Sequence, residues 1–142
     1  MIKLLERWFN LPPTKDAPFI EDHHGEKFWI VWEIEEEAAS LYVWYRGRFV
    51  GNVNLIFEND HSVTLADIVV FQSRELRNRG LGKAMLHEAI RLAKTYDAKH
   101  IWGFIQPHDG VTKEYLIAWY RKQGFNVYEA KPGIYHILLE LL

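Results

Sequence analysis

Apolar and polar residues alternate along the first half of the chain and change to helical spacing in the second. Phe28, Ile30, Trp32 and Ile34 alternate with other residues from Lys27 to Glu35, the period of a strand with one buried face. A second strand is expected from about Leu41 to Tyr45, and Arg46-Gly47-Arg48 turns it into a third, Phe49 to Phe57. After the turn Glu58-Asn59-Asp60-His61, a further strand ends near Phe71, with Leu65 to Phe71 its apolar run. These strands make an antiparallel meander. Ahead of them, Ile2, Leu5 and Phe9 fall on one side of a short amphipathic helix, Met1 to Asn10, expected to dock on the domain. Pro12 and Pro13 end it, and Pro18 keeps the next stretch extended.

From Leu81 the period lengthens. Leu81, Met85, Ala89, Leu92 and Tyr96 follow helical spacing, and Leu86, Ile90 and Ala93 widen the apolar face. His100 to Ile105 is a short apolar strand, so strand, helix and strand form a βαβ unit with parallel strands. Another helix is expected over Thr112 to Gln123, burying Leu116, Trp119 and Tyr120, with Gly124 as its C′ residue. Two strands close the chain, Phe125 to Ala130 and Ile134 to Leu141, joined around Pro132-Gly133. The pattern predicts one α/β domain over residues 1–142, with residues 1–20 packed on it as helix and extended segment. Its sheet is mixed and mostly antiparallel.

Composition narrows the chemistry. With 49% hydrophobic and 25% charged residues in 142, the chain reads as a globular protein able to bury a core. It has no cysteine, which excludes disulfides, thiolate metal sites and cysteine nucleophiles. No secretory or membrane-spanning stretch stands out, and a cytoplasmic location is expected. Aromatic residues reach 15%, six of them Trp, and core packing accounts for most.

The charge is locally uneven. Net charge is −2, yet Arg74, Arg77, Arg79 and Lys83 gather around Arg77-Asn78-Arg79-Gly80-Leu81-Gly82, where the strand runs into the helix. The first turn of a helix presents unpaired N–H groups that favour an anion, and glycines let a ligand approach the backbone. The turn is not a P-loop, because no Gly-x-x-x-x-Gly-Lys-Ser/Thr occurs. It is not a dinucleotide fingerprint either, since Met85 stands where a third glycine belongs. A plain strand-to-helix turn is the bland alternative.

The order of elements and two motifs resemble the GNAT family of N-acetyltransferases, from about Leu41 to the C-terminus. Arg77-x-x-Gly80-x-Gly82 resembles the family's Gln/Arg-x-x-Gly-x-Gly/Ala motif, whose backbone amides hold the CoA pyrophosphate. Ala118-Trp119-Tyr120-Arg121-Lys122-Gln123-Gly124-Phe125 resembles its Leu-Tyr-x-x-x-Gly-Phe segment. The resemblance implies a sheet splayed into a cofactor cleft and acetyl-CoA as acyl donor. It implies cofactor contacts from Arg77, Asn78, Arg79, Gly80, Leu81, Gly82 and Lys83. It also implies that pantetheine lies along the backbone of Val69, Val70 and Phe71 like an added strand, where an N–H could polarise the thioester carbonyl. A primary amine, on a small molecule or peptide, would attack directly, with Tyr120 protonating the departing thiolate. For Tyr120 the alternative is a core tyrosine.

Asp67 is the first choice of general base, being a carboxylate within an apolar strand; the alternative is a carboxylate paired with arginine or facing solvent. Glu58, His61 and Glu75 are weaker candidates, and His108 and Asp109 come after the strand parallel to the cofactor strand. His23-His24 reads as a solvated turn, and no spacing suggests a metal site.

Three features depart from the family's pattern. Glu35-Glu36-Glu37-Ala38-Ala39-Ser40 leaves room only for a tight connection where the family has helices, so the N-terminal helix is expected to substitute. The stretch Asp67 to Arg77 is longer and lacks the frequent proline. Lys113 stands near the place of a common asparagine. A non-catalytic acyl-CoA-binding or regulatory module, and a phosphate-binding or interaction domain unrelated to CoA, are the competing readings. Glu33, Glu35, Glu36 and Glu37 could draw a cationic acceptor, although a charge run is more often a solvated face. Neither nucleic acid nor membrane is expected as a partner, and a homodimer is left open.

Overall fold

The computed structural model describes residues 18–71, 80–107 and 110–141. The expected N-terminal helix, Arg74, Glu75, Arg77, Asn78, Arg79, His108 and Asp109 lie outside the described residues. Eight strands form one sheet: β1 Phe19–Glu21, β2 Lys27–Ile34, β3 Ala38–Tyr45, β4 Arg48–Phe57, β5 Ser62–Val70, β6 His100–Phe104, β7 Asn126–Lys131 and β8 Ile134–Glu140. Helix α1, Leu81–Thr95, links β5 to β6, and α2, Lys113–Lys122, links β6 to β7. The strand order is β1-β2-β3-β4-β5-β6-β8-β7, with β5 and β6 the one parallel pair. The mixed, mostly antiparallel sheet with a single βαβ crossover is therefore present. No helix among the described residues is long and apolar enough to cross a membrane.

The meander forms because each of its strands has one apolar face. Register pairs Ile30 with Val43, Trp32 with Leu41, Leu41 with Val53 and Ala39 with Leu55, so these side chains share one side of the sheet. Helix α1 covers that side with Leu81, Met85, Leu86, Ala89, Leu92 and Ala93, all buried. Trp32 ties the layers together: its Nε1–H donates to Glu88 Oε1 at 3.0 Å, and Arg91 holds the same carboxylate at 2.6 Å. Tyr96, expected on the stripe, instead lies past the helix end, exposed and stacked on Phe57.

Three other expectations need correction. Strand β1 was not predicted, because three residues after Pro18 carry too little pattern. The connection between β2 and β3 is shorter still than expected, since Glu35 N–H already donates to Ala38 O. In α2 only Tyr120 is buried; Leu116 and Trp119 are half-buried, because this ten-residue helix packs on the outer strand β7.

Candidate active site

The parallel ladder between β5 and β6 runs through Ser62–His100, Val63–Ile101, Thr64–Trp102 and Leu65–Gly103, and stops there. β5 continues to Val70 paired with β4 alone, while β6 continues toward β8, pairing Phe104 with His136. The two strands part, and a cleft opens between them. At the parting point β5 carries a bulge: Asn54 pairs with Asp67 and Leu55 with Leu65, leaving Ala66 as an extra residue. A bulge kinks its strand and re-aims the residues beyond it.

Past Ala66, hydrogen-bonding alternation decides which backbone groups face the cleft. Phe71 N–H donates to Val50 O at 2.9 Å, so Asp67, Val69 and Phe71 turn their backbone toward β4. Ile68 and Val70 turn theirs toward the cleft. Of the three residues named from the sequence for backbone contact, Val70 has this geometry and Val69 and Phe71 do not. Ile68 was missed, because the direction of alternation depends on a bulge the sequence does not announce.

The start of α1 faces this open edge. Gly80 is the N-cap, in the left-handed region at φ 81°, with no side chain capping the helix and no acidic residue in its first turn. Leu81 is buried and anchors the turn, Gly82 is half-buried and Lys83 exposed. The other described helix is built differently. Thr112 Oγ1 accepts from Tyr115 N–H at 3.1 Å and Glu114 sits in the first turn of α2, so that terminus is satisfied from within. Among the described residues, no side chain complements the N–H groups that open α1 in this way.

The two glycines have different reasons. Gly80 needs its positive φ, and a Cβ there would also collide with the His23 ring. A Cβ on Gly82 would meet Trp119 Cζ2 at 3.5 Å and Val70 Cγ2 at 4.0 Å, both ordinary contacts. Packing among the described residues does not demand glycine at position 82.

Tyr120 is set by the end of α2. Gly124 N–H donates to Arg121 O at 3.0 Å and Phe125 N–H to Tyr120 O at 3.1 Å, with Gly124 at φ 97°. These are the two bonds of a Schellman motif, whose usual apolar contact is here the Tyr120–Phe125 ring pair at 5.4 Å. Trp119 packs edge-on to the same ring at 5.0 Å. The sequence Tyr-x-x-x-Gly-Phe is thus a device for fixing one tyrosine. Burial, and then the negative charge of Asp67, hold the Tyr120 hydroxyl well above the usual tyrosine range. Asp67 itself is exposed, directly after the bulge.

Glu58 and His61 lie at the far end of β5, where Glu58 Oε1 accepts from Thr64 Oγ1 at 2.8 Å. No group of three or more His, Asp or Glu able to hold a metal occurs among the described residues.

No curated protein matches the chain. Among solved structures it is similar to the PaiA N-acetyltransferase of Thermoplasma acidophilum in complex with coenzyme A, at 16% identity and TM-score 0.61. That match covers 74% of this chain and 62% of the Thermoplasma chain, so less than two thirds of that protein is represented. A GNAT family acetyltransferase of Elizabethkingia anophelis with acetyl-CoA bound gives TM-score 0.61 at 16% identity, covering 74% of this chain and 77% of its own. A putative acyl-CoA N-acyltransferase of Klebsiella pneumoniae gives TM-score 0.64 at 15% identity, covering 99% and 87%. These likenesses concern the fold. The sequence profile described as the acetyltransferase (GNAT) family matches residues 2–125, and the chain belongs to that family.

Proposed function

We propose that the protein is an N-acetyltransferase that moves an acetyl group from acetyl-CoA to a primary amine by direct attack. The observation that carries this reading is the parting of β5 and β6 after Leu65–Gly103, in front of a helix start that no described side chain caps. A splayed edge with free amides suits the amide-bearing pantetheine arm, and the open N-terminus of α1 suits a pyrophosphate. Solved relatives of this fold hold CoA or acetyl-CoA.

The chain's residues then divide the work. The amides of Leu81, Gly82 and Lys83 hold the pyrophosphate, with Arg77, Asn78 and Arg79 contributing from the preceding turn. Val70 hydrogen-bonds the pantetheine arm, and the Ile68 N–H, nearest the bulge, polarises the thioester carbonyl. Asp67 takes a proton from the attacking amine as its nitrogen bonds the acetyl carbon. Tyr120 gives its proton to the sulfur as the carbon–sulfur bond breaks. Once Asp67 is protonated, its negative charge no longer adds to the burial that holds the Tyr120 hydroxyl above the usual tyrosine range. With no cysteine in the chain, no acetyl-cysteine intermediate can form.

One feature favours a non-catalytic acyl-CoA-binding module instead. The Glu35–Glu37 connection leaves no helices between β2 and β3 to shape an acceptor site. Incubating the protein with acetyl-CoA and a panel of primary amines, and measuring free CoA together with acetylated product, separates the two. Equal amounts of both products from one or more amines support the enzyme. Tight acetyl-CoA binding with no transfer to any amine supports the module.

A further inference from the structure

We propose that His23 is a contact of the CoA pyrophosphate, contributed by the turn between β1 and β2. This rests on the reading of the α1 start as the pyrophosphate site. The turn is rigid: Asp22 Oδ1 accepts from His24 N–H at 2.9 Å and from Glu26 N–H at 3.0 Å, and Asp22 O accepts from Gly25 N–H at 3.2 Å. Asp22 is buried beneath it, whereas His23 is exposed. The exposed ring nevertheless lies against Gly80. Nε2 and Cδ2 of the ring come nearest to where a Cβ on Gly80 would stand, so this edge of the ring lies against the N-cap of α1.

That placement has a chemical consequence. An anion held on the first amides of α1 would lie beside an imidazole nitrogen able to donate a hydrogen bond, and to carry a charge when protonated. The described charged or titratable groups on the elements meeting there are Glu21 on β1, Asp22, His24 and Glu26 in the turn, Lys27 and Glu33 on β2, Arg46 after β3, and Lys83, His87, Glu88, Arg91 and Lys94 on α1. Arg46 lies 4.0 Å from Glu26, and His24, Lys27 and Arg46 border an open recess of about 500 Å³.

Dephospho-CoA is the probe, because it keeps the pyrophosphate and lacks the 3′-phosphate, a monoester that titrates near about pH 6. Calorimetric titrations of the full chain and of His23→Gln are compared at about pH 5.5 and about pH 8, on either side of the ordinary histidine range. The expected result is wild-type binding roughly three- to fivefold tighter at the lower pH, the size of an exposed charge contact, and a flat response in the variant. An equal pH dependence in His23→Gln overturns the proposal, as does tighter binding by the variant at both pH values, which would make the ring an obstruction. Matching unfolding midpoints exclude misfolding of the variant. Failure of the wild-type protein to bind CoA or dephospho-CoA at all overturns the pyrophosphate site as well, whereas normal binding with an unaltered pH response overturns the His23 contact alone.

Discussion

The carbonyl oxygen of Leu65 lies 2.7 Å from where a side chain on Gly103 would place its Cβ. No side chain fits there without moving the backbone, so the last rung of the parallel ladder depends on glycine. This rung is the apex of the cleft.

Gly103→Ala therefore forces β5 and β6 apart at the apex. Such crowding in a packed interior costs about 1–3 kcal/mol. A lowered denaturant midpoint with unchanged m-value, together with a raised KM for acetyl-CoA, is expected. An unchanged midpoint would show that the ladder accommodates the methyl group.

Gly124→Ala isolates a different effect. Nothing lies within 4 Å of a Cβ at this position, so the cost comes from the left-handed backbone alone, about 1–2 kcal/mol. Because Gly124 and Phe125 close the motif that holds Tyr120, kcat should fall along with stability, while acetyl-CoA affinity stays. Thermal unfolding and steady-state kinetics on the same preparation read both.

Tyr120→Phe keeps the ring and its contacts with Trp119 and Phe125. If the hydroxyl protonates the thiolate, kcat should fall roughly 10²-fold, the lower end for a lost general acid, with acetyl-CoA affinity unchanged. Stability at neutral pH should change by no more than about 1 kcal/mol. Full activity in a stable variant would return Tyr120 to the core.

Alkaline pH offers an independent check of the environment of Tyr120. Its folded pKa is raised above the ordinary value of 10.0, chiefly by burial. The folded protein therefore holds this proton after the unfolded chain has released it. Its contribution to stability is complete below about pH 10 and declines above it by up to about 1.4 kcal/mol per pH unit. The wild-type protein should lose stability faster than Tyr120→Phe above pH 10.0; parallel curves would contradict a buried, proton-retaining hydroxyl.

The sequence was legible where a strand or helix has a single apolar face. Phe28, Ile30 and Trp32 marked β2, and Leu81, Met85 and Ala89 marked α1, because each set meets the same core. Legibility failed where tertiary contacts decide. The bulge at Ala66 arises from how β5 meets β4 on one side and leaves β6 on the other, and the alternation beyond it turns the backbone of Ile68 and Val70, not that of Val69 and Phe71, away from β4. Residues 23 and 80 are far apart in the chain, so the packing of His23 on Gly80 carried no local signal. Gly82 stood out in the sequence as a glycine needing a reason. Among the described residues, packing supplies no such reason.

Position 82 therefore offers the most direct measurement of the central claim. A Cβ there makes only ordinary contacts with Trp119 and Val70, so Gly82→Ala should fold with an unfolding midpoint close to that of the wild-type protein. Calorimetric titration of both proteins with CoA should show binding to the wild type and a loss of at least about tenfold in the variant, the scale of one displaced charge-assisted hydrogen bond. Equal CoA affinity in a folded Gly82→Ala protein, or no CoA binding by the wild type, would contradict the assignment of the α1 start as the pyrophosphate site.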